Sequence, residues 1–310
     1  MMLSSNTSAG TQTTVGNMMS CASCGVAEAD HKLKICTACN LVRYCSVNCQ
    51  KEHRPQHKRE CKRMAAELRD KILFKQPESS HVGDCPICCL PLPLDRNGSA
   101  VMSCCSNIIC DGCAYANQMR EMEGDLQQKC PFCRQRLPND DEEADLNTMK
   151  RVEANDPVAT YEMGIKHYID GDYASAFNYF KDAVELGDVE SHYTMSHMYR
   201  EGLGVEKDKK KQIYHLEEAA IGGHADARYN LASYEWSNLK FKRALNHWIV
   251  AARLGHNESM QTLERCYTSG EVNEEDFIST FRAYQAARDA ETSPQRKAAA
   301  KADAADNYYH

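Results

Sequence analysis

Residues 85–134 read CPICCLPLPLDRNGSAVMSCCSNIICDGCAYANQMREMEGDLQQKCPFCR, and nine of these fifty residues are cysteine. Six of the nine form Cys-x-x-Cys pairs: Cys85/Cys88, Cys110/Cys113 and Cys130/Cys133. The adjacent Cys104 and Cys105 bring the count to eight, with Cys89 left over. Eight thiolates suit two tetrahedral zinc ions, because each ion takes four soft ligands at about 2.3 Å and one Cys-x-x-Cys turn supplies two. Four protein ligands per ion leave no open position for water, so structural rather than hydrolytic zinc is expected.

This spacing resembles a RING finger, in which the first and third ligand pairs hold one ion and the second and fourth hold the other. The resemblance implies one site from Cys85, Cys88, Cys110 and Cys113, and another from Cys104, Cys105, Cys130 and Cys133. Many RING fingers carry a His where this chain has Asn107, so the likeness is to the all-cysteine form. RING-type ubiquitin ligases hold a ubiquitin-conjugating enzyme through residues that match Ile87, Pro131 and Arg134 here, and act by positioning the reactants rather than by supplying a nucleophile or base. On their own, Ile87 also reads as knuckle packing, Pro131 as a turn former and Arg134 as a surface charge. The Trp that many RINGs place before the last pair is absent. Tyr115, Met119, Met122 and Leu126 recur at helical spacing and are expected to form a core stripe.

Working toward the N-terminus, a second cluster runs Cys21-x2-Cys24-x11-Cys36-x2-Cys39-x5-Cys45-x3-Cys49-x7-His57-x3-Cys61, with Tyr44 before Cys45. It resembles the MYND finger, whose wiring implies one ion on Cys21, Cys24, Cys45 and Cys49 and another on Cys36, Cys39, His57 and Cys61. The Cys-x3-Cys and His-x3-Cys spacings put each ligand pair on one face of a helical turn. So small a module buries too little apolar surface to fold alone, and metal ligation, at an apparent ~10 to 16 kcal/mol per site, has to supply the difference. MYND fingers bind proline-containing peptides; Gln50 matches a groove residue, whereas Arg54 stands where an aromatic wall is common. His31 and His53 are spare and read as surface residues. Lys51 to Lys75 carries nine Lys or Arg against four Asp or Glu and reads as a basic helix with a solvated face.

Sixteen of the seventeen cysteines precede residue 134, and no basic n-region or apolar leader accompanies them, so a reducing compartment is expected, cytoplasmic or nuclear and not secreted. No apolar run approaches the ~18 residues of a membrane span. Ligation of fifteen thiolates by four zinc ions would move the formal charge from -7 to about -14, which disfavours a general nucleic-acid binder.

Downstream, Tyr161, Tyr193 and Tyr229 align, as do Met163, Met195 and Leu231, then Ala183, Ala219 and Ala251, then Gly187, Gly223 and Gly255. Each unit reads as two helices closed by the Gly at a C-terminal cap. The run Tyr193-x-Met195-x3-Tyr199-x2-Gly202-Leu203-Gly204 resembles the Sel-one-like repeat, a relative of the tetratricopeptide repeat. Three repeats are clear, a fourth begins at Ser259, and a helix over 277–288 is expected to cap the array. Cys266 reads as buried and inert.

The expected fold is multidomain: two small zinc-stabilised cross-brace modules followed by an all-α helical-repeat solenoid. The parts are a disordered tail (1–20), the MYND finger (21–61), a basic helix and linker (62–82), the RING-like finger (83–137), an acidic connector and helix (138–156), the solenoid (157–290) and a second disordered tail (291–310). Two functions stay open at this point. One is a RING-type ubiquitin ligase that binds a conjugating enzyme and recruits a substrate protein through the repeats; the other is a non-catalytic zinc-binding scaffold for protein partners. Neither needs nucleic acid or a membrane.

Overall fold

The structure, a computed structural model, describes residues 20–27 and 32–306, with side chains to residue 304. His31 and residues 1–19 of the expected N-terminal tail lie outside these. The chain divides into two compact units between Ile72 and Leu73.

In the first unit, β1 (Lys34–Ile35) and β2 (Arg43–Tyr44) pair antiparallel, and isolated bridges join Ser20 to Ala27 and Cys21 to Arg43. The core is Cys21, Leu33, Cys36, Cys39 and Tyr44, so cysteines supply most of it. The chain then enters α1 (Val47–Leu73). Pro55 sits inside this helix, where it removes one backbone donor without ending the helix. Cys49, His57 and Cys61 are on α1, whereas Cys45 lies in the bend just before it. The expected shared helical turn therefore holds for the His57/Cys61 pair and not for Cys45/Cys49. Lys51, Arg54, Lys58 and Lys62 are exposed along α1.

The second unit begins with Leu73, which is buried among Leu216, Ala219, Ala220, Ala227 and Leu231 of the repeats. The stretch 76–82, expected as a linker, is laid against the solenoid: Gln76 Nε2 donates to the Val250 carbonyl at 3.5 Å. Gly223 shows how close this approach is, since a Cβ there would lie 2.9 Å from the Ser79 carbonyl oxygen, and its φ of +93° already favours glycine. The RING-like module follows, with a short 3-10 turn (Arg96–Gly98), the antiparallel hairpin β3 (Ser99–Val101) and β4 (Ile108–Cys110), and α2 (Asp111–Glu123).

The apolar stripe on and beyond α2 differs from expectation. Met119, Met122 and Leu126 are exposed, and the buried residues of α2 are Gly112 and Glu121. The reason is the neighbour that α2 meets. Helix α12 (Pro294–Asp306) packs on it, and α12 occupies much of the segment whose composition reads as a disordered tail. Ser293 accepts the Arg296 N–H at 3.1 Å as an N-cap, Pro294 takes the first helical position, and Ala299 is buried.

Between these parts run α3 (Asp141–Glu153) and four helix pairs: α4 (Pro157–Ile169) with α5 (Tyr173–Glu185), α6 (Val189–Glu201) with α7 (Lys209–Ile221), α8 (Ala225–Ser237) with α9 (Phe241–Arg253), and α10 (Asn257–Thr268) with α11 (Glu274–Ala290). Gly187, Gly223 and Gly255 close the second helices of the first three pairs at φ near +93° to +95°, a conformation that costs a side-chain-bearing residue free energy. Ala183, Ala219 and Ala251 are fully buried, which lets the helices approach, while Phe180, Leu216 and Trp248 fill the space between them. Cys266 is buried as expected, and burial pushes its thiol up to about 11, leaving it inert. Among the described residues no helix is long and apolar enough to cross a membrane.

Candidate zinc centres and interaction faces

A tetrahedral zinc with four sulfurs at about 2.3 Å has sulfur–sulfur edges of about 3.8 Å, and a nitrogen ligand shortens an edge to about 3.6 Å. In each of four clusters the ligand atoms lie within 4.8 Å of one another, and most of the closest separations are near these edges, with Cys104–Cys133 the shortest against its ideal. Cys24 and Cys45 sulfurs are 3.6 Å apart, and Cys45 and Cys49 3.5 Å, with Cys21 completing the group. Cys36 and Cys61 are 3.8 Å apart, and Cys39 lies 3.4 Å from His57 Nε2. In the RING-like module the Cys88–Cys110 separation is 3.8 Å in a group with Cys85 and Cys113. Cys104–Cys133 at 3.3 Å and Cys105–Cys130 at 3.9 Å form the other. The pairs interleave along the chain in both modules, so each ion would join segments distant in sequence.

Local turns prepare these cages. The N–H of the residue after a Cys-x-x-Cys pair returns to the first Cys carbonyl: Gly25 to Cys21 at 2.9 Å, Asn40 to Cys36 at 2.8 Å, Cys89 to Cys85 at 2.8 Å and Arg134 to Cys130 at 3.0 Å. All four returning residues have positive φ. The same turn explains the irregular Cys104/Cys105 pair. Ser106 N–H returns to the Met102 carbonyl at 2.7 Å, so the knuckle spans Met102 to Cys105 and its missing first ligand is supplied from Cys104. Cys89 is exposed and belongs to none of the clusters.

Electrostatics favour a cation at each place. Burial works against the Cys21 thiolate, yet the Cys24, Cys45 and Ser23 amides outweigh it and hold its pKa at about 6. Hydrogen bonds with Cys49 and Cys24 push Cys45 up to about 12. Without a cation, four crowded thiols cannot all ionise. Behind the second MYND-type cluster, His53 is not the free surface residue expected: its Nδ1 lies 3.0 Å from the Tyr44 hydroxyl, and its ring stacks on His57 at 5.5 Å. It is held by Tyr44 and packs its ring against the candidate ligand His57.

A fifth cluster, His81, Glu190 and His224, leaves no trace in sequence spacing. His81 Nε2 is 2.7 Å from Glu190 Oε2 and His224 Nε2 is 3.4 Å from it. The two imidazoles are parallel within 5°, with centroids 4.1 Å apart, so one ion could not lie in both ring planes. His224 Nδ1 accepts the Ala227 N–H, which leaves the proton on Nε2, facing Glu190. Burial opposes the Glu190 charge, but the adjacent His224 imidazole and the His81 hydrogen bond overcome it and hold the carboxyl well below the usual range. The cluster thus links the 76–82 stretch to α6 by a hydrogen bond and to His224, just before α8, by ring stacking.

Three of the concave faces among the described residues bear on the expected contact residues and the repeats. Ile87, Pro131 and Arg134 line one groove of about 440 Å³, together with Ala116, Asn117 and, from the C-terminal segment, Ser293 and Gln295. Ile87 is exposed, and the Arg134 guanidinium donates to Asn117 Oδ1 at 3.1 Å. A second groove of about 390 Å³ contains both Gln50 and Arg54, rimmed by Lys51, Lys58 and Lys62. The third, about 750 Å³, runs along the repeats between Tyr161, Tyr193, Arg200, Lys209 and Asn230.

Among known protein families, the MYND finger matches residues 21–61. Over 61 residues the chain is 39% identical to the chitin synthase regulator SKT5 of Saccharomyces cerevisiae, a match covering 20% of this chain and 9% of that protein's length. Among solved structures, a Sel1 repeat protein from Oxalobacter formigenes aligns with a TM-score of 0.42 at 22% identity, over 55% of this chain and 70% of that one. A protective antigen of uropathogenic Escherichia coli with an SLR fold, c5321, aligns with a TM-score of 0.38 at 19% identity, over 50% of this chain and 36% of its own. The chain thus carries a MYND finger, and its helix pairs follow the Sel-one-like pattern that the Tyr, Ala and Gly positions announce. Together, the finger match and the four cysteine and histidine clusters point to zinc binding.

Proposed function

We propose that this chain is a scaffold holding four structural zinc ions, whose RING-like module engages a ubiquitin-conjugating enzyme and whose repeats recruit the protein to be modified. The observation that carries the reading is the shared groove: Ile87, Pro131 and Arg134 come from both ends of the module and open onto one space. Arg134 adds to this, since its guanidinium is held beside the groove by Asn117 Oδ1 at 3.1 Å. The zinc ions would hold Cys85–Cys88 and Cys130–Cys133 in place, and through them the three contact residues. No group of this chain takes part covalently. A lysine amine of the recruited protein attacks the thioester carbon, an isopeptide bond forms, and the conjugating enzyme's cysteine leaves as a thiol.

The adaptor reading rests on a different observation. Lys51, Arg54, Lys58 and Lys62 rim the groove that contains Gln50, so this face suits an acidic extended peptide whether or not the RING-like module acts on ubiquitin.

The test is lysine discharge by the zinc-loaded full chain with a panel of ubiquitin-charged conjugating enzymes, with Ile87→Ala and Arg134→Ala as controls. The ligase reading requires faster discharge by the wild type and loss of it in both variants at unchanged zinc content. A fully metallated wild type that accelerates no member of the panel would leave the adaptor reading.

A further inference from the structure

The C-terminal segment bears directly on the RING-like face. The Arg296 guanidinium donates through Nη1 to the Pro91 carbonyl at 2.6 Å and to the Glu291 carbonyl at 2.7 Å, and through Nη2 to the Leu90 carbonyl at 3.3 Å and Cys88 Sγ at 3.7 Å. One of the four acceptors, Cys88, belongs to the knuckle that displays Ile87, and two more, Leu90 and Pro91, lie in the segment directly after it. The fork geometry of a guanidinium suits such multiple acceptance, and a bond to a ligating thiolate would be charge-assisted. Opposite this, a Cβ on Gly112 would lie 2.6 Å from the Arg296 backbone nitrogen, so α2 and α12 meet at backbone distance. Ser293 and Gln295, at the start of α12, then enter the same groove as Ile87, Pro131 and Arg134. Gln295 is exposed and has its side chain available to a partner.

We propose that the segment Ser293–Arg296 is a working part of the conjugating-enzyme face: Gln295 forms one wall of the groove and contacts the bound enzyme, and Arg296 is a positioning residue that fixes the Ile87 knuckle. The inference rests on the ligase reading above and adds a specificity element from the far end of the chain. A conjugating enzyme accepted by this protein must fit a groove with a polar amide wall beside the apolar Ile87 contact. Enzymes whose loop is apolar at that place should be selected against, since they would strand the amide without a partner.

The test measures discharge by the full chain as a function of charged-enzyme concentration, for wild type, Gln295→Ala, Arg296→Lys, Ile87→Ala and a truncation after Thr292. Zinc content is determined for each. Gln295→Ala leaves the fold and zinc untouched and is expected to raise the half-saturating concentration about fivefold with little change in maximal rate, as for truncation of an interface side chain. Arg296→Lys keeps the charge but loses the fork; it is expected to raise the half-saturating concentration and to shift the methyl resonance of Ile87 in the absence of any partner. If Ile87→Ala abolishes discharge while Gln295→Ala, Arg296→Lys and the truncation match wild type, the proposal fails and the ligase reading survives. If the truncation instead speeds discharge, α12 is a cover over the groove and the proposal is overturned. If the metallated wild type engages no conjugating enzyme, both fail together.

Discussion

Arg228, fully buried in α8, donates to the Leu73 carbonyl at 2.7 Å, satisfying an acceptor at the end of α1 that the helix leaves without a partner. Its second nitrogen reaches the Lys75 carbonyl at 3.4 Å. Burial holds the guanidinium down to about 10, still charged at neutral pH. The third repeat thus holds the second unit's first residues at Leu73 and Lys75. Arg228→Ala would leave buried carbonyls unsatisfied and open a cavity, for an expected loss of about 3 kcal/mol. Arg228→Lys should fall between. Denaturant unfolding followed by tryptophan fluorescence reads the result cleanly, because Trp236 and Trp248 are the protein's two tryptophans and both lie in the repeats. An unchanged midpoint in Arg228→Ala would show that these bonds contribute nothing net.

Acid sensitivity of the repeats should be traceable to His247. The residue is fully buried against Phe74, with ring centroids 4.6 Å apart, and among the described residues neither ring nitrogen has a hydrogen-bond partner. Burial, followed by the nearby Arg228 and Arg243 charges, depresses its pKa from the usual 6.5 to about 3. A depressed pKa means the unfolded chain binds the proton more tightly, so the stabilisation is complete above pH 6.5 and is lost as pH falls from there toward 3. Between about pH 7.5 and 5.5 this one group should cost about 1 kcal/mol. His247→Phe should flatten the pH dependence by that amount. Equal slopes for wild type and variant would remove His247 from the account.

Metal removal should separate the parts of the chain. A strong chelator is expected to unfold the finger at 21–61 and the RING-like module, whose cores are mainly cysteine, and to leave the repeats folded, whose cores are aromatic, aliphatic and alanine. Metal analysis should give four zinc ions per chain, three in Cys133→Ser and four in Cys89→Ser, since Cys89 stands outside every cluster. A loss of zinc in Cys89→Ser would contradict the ligand assignment.

How far the sequence reveals this molecule depends on whether the signal is local. The cysteine spacing is local, because a knuckle spans four residues, and it carries all four clusters even where Cys104 replaces a ligand at Met102. The repeat phase is also readable: buried Ala183, Ala219 and Ala251 recur with the closing glycines. What is illegible is what distant segments do to one another. Met119, Met122 and Leu126 have helical spacing that reads as a core stripe, and spacing alone cannot say which face of α2 finds a neighbour. That neighbour, α12, reads as a tail by composition, although Ser293-Pro294 ahead of an alanine-rich run is a helix start in itself. The pairing of His81 with Glu190, 109 residues on, has no sequence signature at all.

Gly112 offers the sharpest check on the α2–α12 contact, because the intrinsic and tertiary effects of its replacement have opposite signs. In an isolated helix, Gly→Ala is worth a gain of about 1 kcal/mol. Here the added methyl would fall 2.6 Å from Arg296 N and 2.9 Å from its Cα, atoms of a backbone that cannot swing aside as a flexible side chain would. Gly112→Ala is therefore expected to destabilise the packing by about 1 to 3 kcal/mol despite the helix preference. Hydrogen exchange across 294–306 should then rise toward that of an unpacked helix, while exchange in α4 to α9 stays as in wild type. A second substitution separates this from general damage to α2: Gln118 is exposed on the same helix, and Gln118→Ala should leave exchange in α12 unchanged. If Gly112→Ala instead protects 294–306 as well as wild type does, α12 does not hold α2 at backbone distance in solution.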